Sequence, residues 1–127
     1  MNKRIQWINH KGQKLFQVDV RAISRDEQLE TAKEFAQLLQ NEPDGSVRVL
    51  VLAGEFDFHP DVVSKVKGFL LQVQPKVKRS ALVGVDGILR IAFDGFFTLA
   101  RFLGMSMNEE RGKHFEKEEE AKDWLVR

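Results

Sequence analysis

A chain of 127 residues, 43% apolar and 31% charged, has the size and composition of one folded domain spanning residues 1–127. Lysine and arginine total 20 against 19 aspartates and glutamates, so the formal charge of +1 makes no case for nucleic acid. There is no cysteine, which excludes disulfides, thiolate metal sites and thiol nucleophiles, and fits a reducing cytoplasm.

Residues 1–10 carry positive charge with no apolar run behind it, which is not the pattern of a secretory signal. Residues 4–9 and 15–22 read as two antiparallel strands. In the second, Phe16, Val18 and Val20 alternate with Gln17, Asp19 and Arg21, the period of a half-buried strand. His10-Lys11-Gly12-Gln13 between them is the natural hairpin turn. Ser24 then opens a helix: Ser24 and Glu27 have capping-box spacing, and Asp26 favours the positive end of the dipole. Leu29, Ala32, Phe35, Ala36 and Leu39 make its buried stripe, and Asn41-Glu42-Pro43-Asp44-Gly45 stops it.

Residues 47–53, V-R-V-L-V-L-A, are nearly all apolar, as in a central parallel strand covered on both faces. A helix follows over residues 60–73. Pro60 suits its first turn, Val62, Val63, Val66, Phe69, Leu70 and Val73 sit at core spacing, and Pro75 marks its end. Residues 80–85 form the next buried strand, and Asp86-Gly87 turns the chain into a further helix with Asp86 as N-cap. Residues 113–116 form a short last strand with Phe115 inward. Residues 117–126 form a final helix that buries Ala121, Trp124 and Leu125.

The helix over residues 88–103, I-L-R-I-A-F-D-G-F-F-T-L-A-R-F-L, is the abnormal one. At about 100° per residue, Arg90, Asp94, Thr98 and Arg101 share an arc roughly 80° wide. Phe93, Phe96, Phe97, Phe102 and their neighbours cover the rest, whereas a helix on one sheet typically buries a stripe of about 100°. The excess needs cover from a neighbouring helix, a second subunit in a homodimer, or an apolar small molecule or lipid. The stretch is shorter than the roughly 20 residues needed to cross a bilayer and is interrupted by charge, so no transmembrane segment is expected.

The order β-β-α-β-α-β-α-β-α predicts an α/β sandwich: a mixed sheet of about five strands, parallel in the middle, with helices packed on it. Three stretches carry a resemblance to a known group. They are V-R-V-L-V-L-A-G in the central strand, K-R-S-A-L-V-G-V-D-G-I-L-R-I after it, and H-F-E-K-E-E-E-A-K-D-W-L near the C-terminus. The chain resembles STAS domains, and more closely the small SpoIIAA-like proteins grouped with STAS and CRAL-TRIO lipid-transfer domains. That resemblance implies a STAS-like (SpoIIAA-like) fold and a regulatory or lipid-binding role. STAS antagonists carry a phosphorylatable serine or threonine where the second helix begins. Here Gly54-Glu55-Phe56-Asp57-Phe58-His59-Pro60-Asp61 holds no hydroxyl, and Ser64 comes later, which argues against that switch.

Glu55, Asp57 and His59 alternate with Phe56 and Phe58, so an extended backbone sends the three polar side chains to one side. They follow the central strand, and ligands of open α/β sheets favour the crevice beyond the strands' carboxyl ends. A ligand contact, an acid/base pair or a metal site is one reading. A polar loop that caps the next helix is the other. His10 and His114 read as surface or edge residues. Gly84-Val85-Asp86-Gly87 lacks the lysine and glycine spacing of a phosphate loop, and Lys76, Lys78 and Arg79 read as a solvated basic cluster. No catalytic constellation, metal set or cofactor motif stands out. The expectation is a non-enzymatic cytoplasmic binding or interaction domain acting through Phe93, Phe96, Phe97 and Phe102. The alternatives are an antagonist-type regulator without the serine switch, or an enzyme or metal site at Glu55, Asp57 and His59.

Overall fold

The computed structural model describes residues 4–21, 24–52, 60–83 and 112–127. It opens with a hairpin of β1 (Ile5–His10) and β2 (Gln13–Asp19), closed by Lys11 and Gly12 alone. The turn is tighter than the expected 10–13, and β1 reaches His10. Lys11 and Gly12 both take left-handed backbone conformations, φ 51° and 79°, as a two-residue turn matching the strand twist requires. Gly12 enters that region without a Cβ penalty.

Helix α1 (Arg25–Leu39) starts at the expected cap: Ser24 accepts from the Glu27 amide at 3.2 Å, and the Glu27 carboxylate accepts from the Ser24 amide. Such a cap contributes about 1 kcal/mol. Ala32, Phe35, Ala36 and Leu39 are buried as the stripe predicts, and so is Thr31, a polar residue the pattern did not single out. Beyond the helix, Gly45 adopts φ 67° and its amide donates to the Pro75 carbonyl at 2.9 Å, which ties the approach to the next strand down.

Strand β3 (Val47–Leu52) is followed by α2 (Pro60–Val73), a single 3-10 turn over Gln74–Lys76, and β4 (Val77–Val83). β4 begins earlier than the expected 80–85. Its first residues are polar because Lys78 is exposed and Arg79 folds over a tryptophan, which hid the strand from an apolar-run reading. A four-residue strand, β5 (Gly112–Phe115), pairs with β4, and α3 (Glu118–Leu125) ends the described chain with Ala121, Trp124 and Leu125 buried.

The body of the sheet is four strands of six or seven residues, with the short β5 at its edge. The order is β1-β2-β3-β4-β5. Among the described strands only β1 runs antiparallel; β2 to β5 are parallel to one another. On one face α1 and α2 cover Phe16, Val18, Val47 and Val49 with Phe35, Leu39, Val73 and Phe69. On the other, α3 brings Ala121, Trp124 and Leu125 onto Leu15, Leu50, Ala81 and Val83. The near-continuous apolar run of β3 is thus explained, because alternate residues feed opposite cores. The expected helix over residues 88–103 lies outside the described residues.

Candidate functional site

Parallel pairing aligns the carboxyl ends of four strands. Asp19 stands opposite Leu52, Leu52 opposite Val83, and Val83 opposite Phe115. This edge is where an open α/β sheet places its ligands. Glu55 follows Leu52, the last residue of β3, by three residues in the sequence. His59 directly precedes Pro60, the first residue of α2. Glu55, Asp57 and His59 themselves, like Phe93, Phe96, Phe97 and Phe102 and the Gly84–Gly87 turn, lie outside the described residues.

Polar groups at the β2 end of this edge form a brace. The Asp19 carboxylate accepts from the Arg21 amide and Nε, both at 3.0 Å, and from Arg21 Nη2 at 2.8 Å. Arg4 Nη1 donates to the carbonyls of Asp19 at 3.1 Å and Arg21 at 2.8 Å, and its Nε to Glu27 Oε2 at 3.1 Å. The Arg21 side-chain hydrogen bond is the main reason the Asp19 carboxyl sits below the ordinary carboxylate value. The Glu27 carboxyl is lowered too, first by the Ser24 amide and then by Arg4. Both carboxylates are therefore ionised and hydrogen-bonded, a state that neither gives a proton nor takes one at neutral pH. The brace holds the turn between β2 and α1 against the sheet edge. Opposite charges two residues apart at a strand's end were the only sign of it in the sequence.

This arrangement fixes the sign of a pH effect. A carboxyl whose folded value is depressed adds stability above its unfolded pKa, near 3.9, and loses it as pH falls through the folded value. Asp19→Asn is therefore expected to be less stable than the native protein at about pH 7, with a narrower gap at about pH 3, below the unfolded pKa. Urea midpoints at the two pH values measure it. A gap of equal size at both would count against the brace.

A second polar cluster sits at the opposite edge. His10 Nε2 meets Asp123 Oδ1 at 2.8 Å, and Lys11 Nζ reaches the same oxygen at 2.9 Å. The Asp123 carboxyl is lowered, by Lys11 first and His10 second. Gln13 Nε2 donates to the Val126 carbonyl at 3.2 Å. His10 thus joins the hairpin to α3 instead of standing free, and its side chain is 15% exposed. Of the basic cluster, Lys76 pairs with Asp44 at 2.9 Å, and Arg79 donates to the Trp124 carbonyl at 2.9 Å. His114 falls on β5.

Among the described residues, no group of three His, Asp or Glu side chains is placed to hold a metal ion. Among them, too, no helix is long and apolar enough to cross a membrane.

Four parallel strands, an antiparallel opening hairpin and helices on both faces make an α/β protein with a SpoIIAA-like fold. The likeness is to the crystal structure of an uncharacterized protein of the DUF3478 family from Shewanella loihica PV-4. The two superpose with a TM-score of 0.70 over 95% of this chain and 91% of that one, at 16% identity. No protein-family model and no curated protein matches the sequence. Similarity at this level of identity speaks to the fold.

Proposed function

We propose that this is a non-enzymatic cytoplasmic binding domain that takes an apolar small molecule or lipid through the phenylalanine-rich residues 88–103. One observation supports it most. The described residues build an apolar cluster on each face of the sheet from their own side chains, α1 and α2 on one face and α3 on the other. The apolar arc that the sequence gives residues 88–103 would add to those clusters. Burying one phenylalanine is worth about 1.5–3 kcal/mol, so Phe93, Phe96, Phe97 and Phe102 left in water would forfeit several times that. A ligand or a second copy of the chain recovers it.

The carboxyl edge supports a companion reading for the ligand's polar end. β3 delivers the chain to that edge at Leu52, and Glu55, Asp57 and His59 are the polar residues that follow it before α2. An enzyme or metal site at these three is the alternative, as is a regulator that binds a protein partner without a serine switch.

Native mass spectrometry of freshly purified protein, followed by organic extraction, tests the proposal. A retained apolar molecule that is lost on replacing Phe93 and Phe97 with serine is the expected result. Gel filtration with light scattering separates the dimer outcome. A protein that is strictly monomeric and carries nothing apolar overturns the reading.

A further inference from the structure

Strands β3 and β4 place Arg48 directly opposite Arg79. Alternation along β3 puts Val47 and Val49 in the core under α1 and α2, and Leu50 and Leu52 in the core under α3. Arg48 therefore belongs to the α3 face, in the same row as Leu15, Arg79 and the end of α3. Neighbouring strands lie about 4.8 Å apart, so two guanidinium groups start from adjacent backbone positions, and like charges side by side weaken a sheet.

Their partners are unequal. Arg79 is satisfied: it donates to the Trp124 carbonyl, and its guanidinium stands 5.1 Å from the centroid of the Trp124 ring. Arg48 is not: its Nε is buried and, among the described residues, has no acceptor. A buried N–H without a partner forfeits its hydration, and native structures leave few of them. Among the described ion pairs neither arginine has a carboxylate, and the nearby Asp123 already serves His10 and Lys11. A pair of positive charges and an orphaned donor on one face is the donor set that a doubly charged oxyanion neutralises. A phosphate monoester or phosphate ion carries about −1.5 to −2 at neutral pH and accepts guanidinium N–H groups in the plane of the fork.

We propose that Arg48 and Arg79 form a binding site for a phosphoryl group at the amino-terminal edge of β3 and β4, beneath the end of α3. Arg48 makes the main contact, and Arg79, anchored on Trp124, supplies the second charge. The proposal draws only on described residues and stands or falls separately from the apolar-ligand reading.

The test is a titration of the whole protein with inorganic phosphate, and separately with O-phosphoserine, at constant ionic strength with chloride as the reference. The Nε–H resonance of Arg48, identified by its absence in Arg48→Lys, is the readout. It is expected to move and saturate with phosphate and not with chloride. Arg48→Gln is expected to weaken binding at least about tenfold, the worth of one charge-assisted hydrogen bond. Tighter binding of phosphoserine than of inorganic phosphate identifies a phosphorylated molecule as the ligand; equal or weaker binding identifies the free ion. A resonance indifferent to both overturns the proposal, as does equal affinity in Arg48→Gln and the native protein. Because the resonance is followed in the native protein, the proposal remains testable even if Arg48→Gln fails to fold.

Discussion

Phe16→Ala is expected to remove about 3–5 kcal/mol of stability, the usual cost of deleting a fully buried aromatic ring. Phe16 has no exposed surface and sits on β2, between the hairpin and the parallel strands. Its ring meets Trp7 edge-on at 4.7 Å between centroids and Phe35 at 5.4 Å, so truncation also removes two aromatic contacts. Domains of this size are stable by about 5–15 kcal/mol in total, which makes a loss of this size close to disabling. Urea unfolding at 25 °C, followed by far-ultraviolet circular dichroism, measures it. The midpoint should fall with little change in slope. A loss below about 1 kcal/mol would mean that the α1–α2 core is not organised around this ring.

Trp124→Ala is expected to cost a similar amount, about 3–5 kcal/mol, through the opposite face. Trp124 carries the contact of α3 with Leu15, Leu50, Ala81 and Val83, and its ring lies 5.6 Å from that of Phe115. It is also the platform for Arg79. A helix of eight residues is too short to persist on its own, so α3 depends on such packing. The loss should therefore appear first as increased amide exchange over Glu118–Leu125, ahead of any change in β2 and β3. Unchanged exchange in α3 would refute the dependence. Arg79→Lys keeps the charge but loses the flat stacking face, and should cost far less than the tryptophan.

The parts of the fold legible in the sequence were those set by local chemistry. Ser24 and Glu27 announced the start of α1, the apolar run at Val47–Leu52 announced a strand with cores on both sides, and Ala121, Trp124 and Leu125 announced the inner face of the last helix. What stayed hidden depends on residues far apart in the chain. His10 meets Asp123 across 113 positions, and Arg79 meets Trp124 across 45. Each looked like a solvated polar residue until the fold brought its partner in. The hairpin turn was misplaced by a residue at each end because Lys11, rather than an asparagine or aspartate, takes the left-handed position beside Gly12. As for the site, the order of strands and helices was enough to point to the edge where β3 delivers the chain. The brace of Arg4, Asp19, Arg21 and Glu27 beside it needed the tertiary structure, since nothing in the spacing of Arg4 and Glu27 suggests that they meet.

Among the described residues, every strand from β2 onward is hydrogen-bonded to the described strand that precedes it in the chain. A sheet so ordered can be laid down from the first hairpin outward during synthesis, and no later segment has to wedge between neighbours already joined. Assembly then avoids the slow reopening that interleaved topologies require, and its growing border is always the side that the ribosome supplies next.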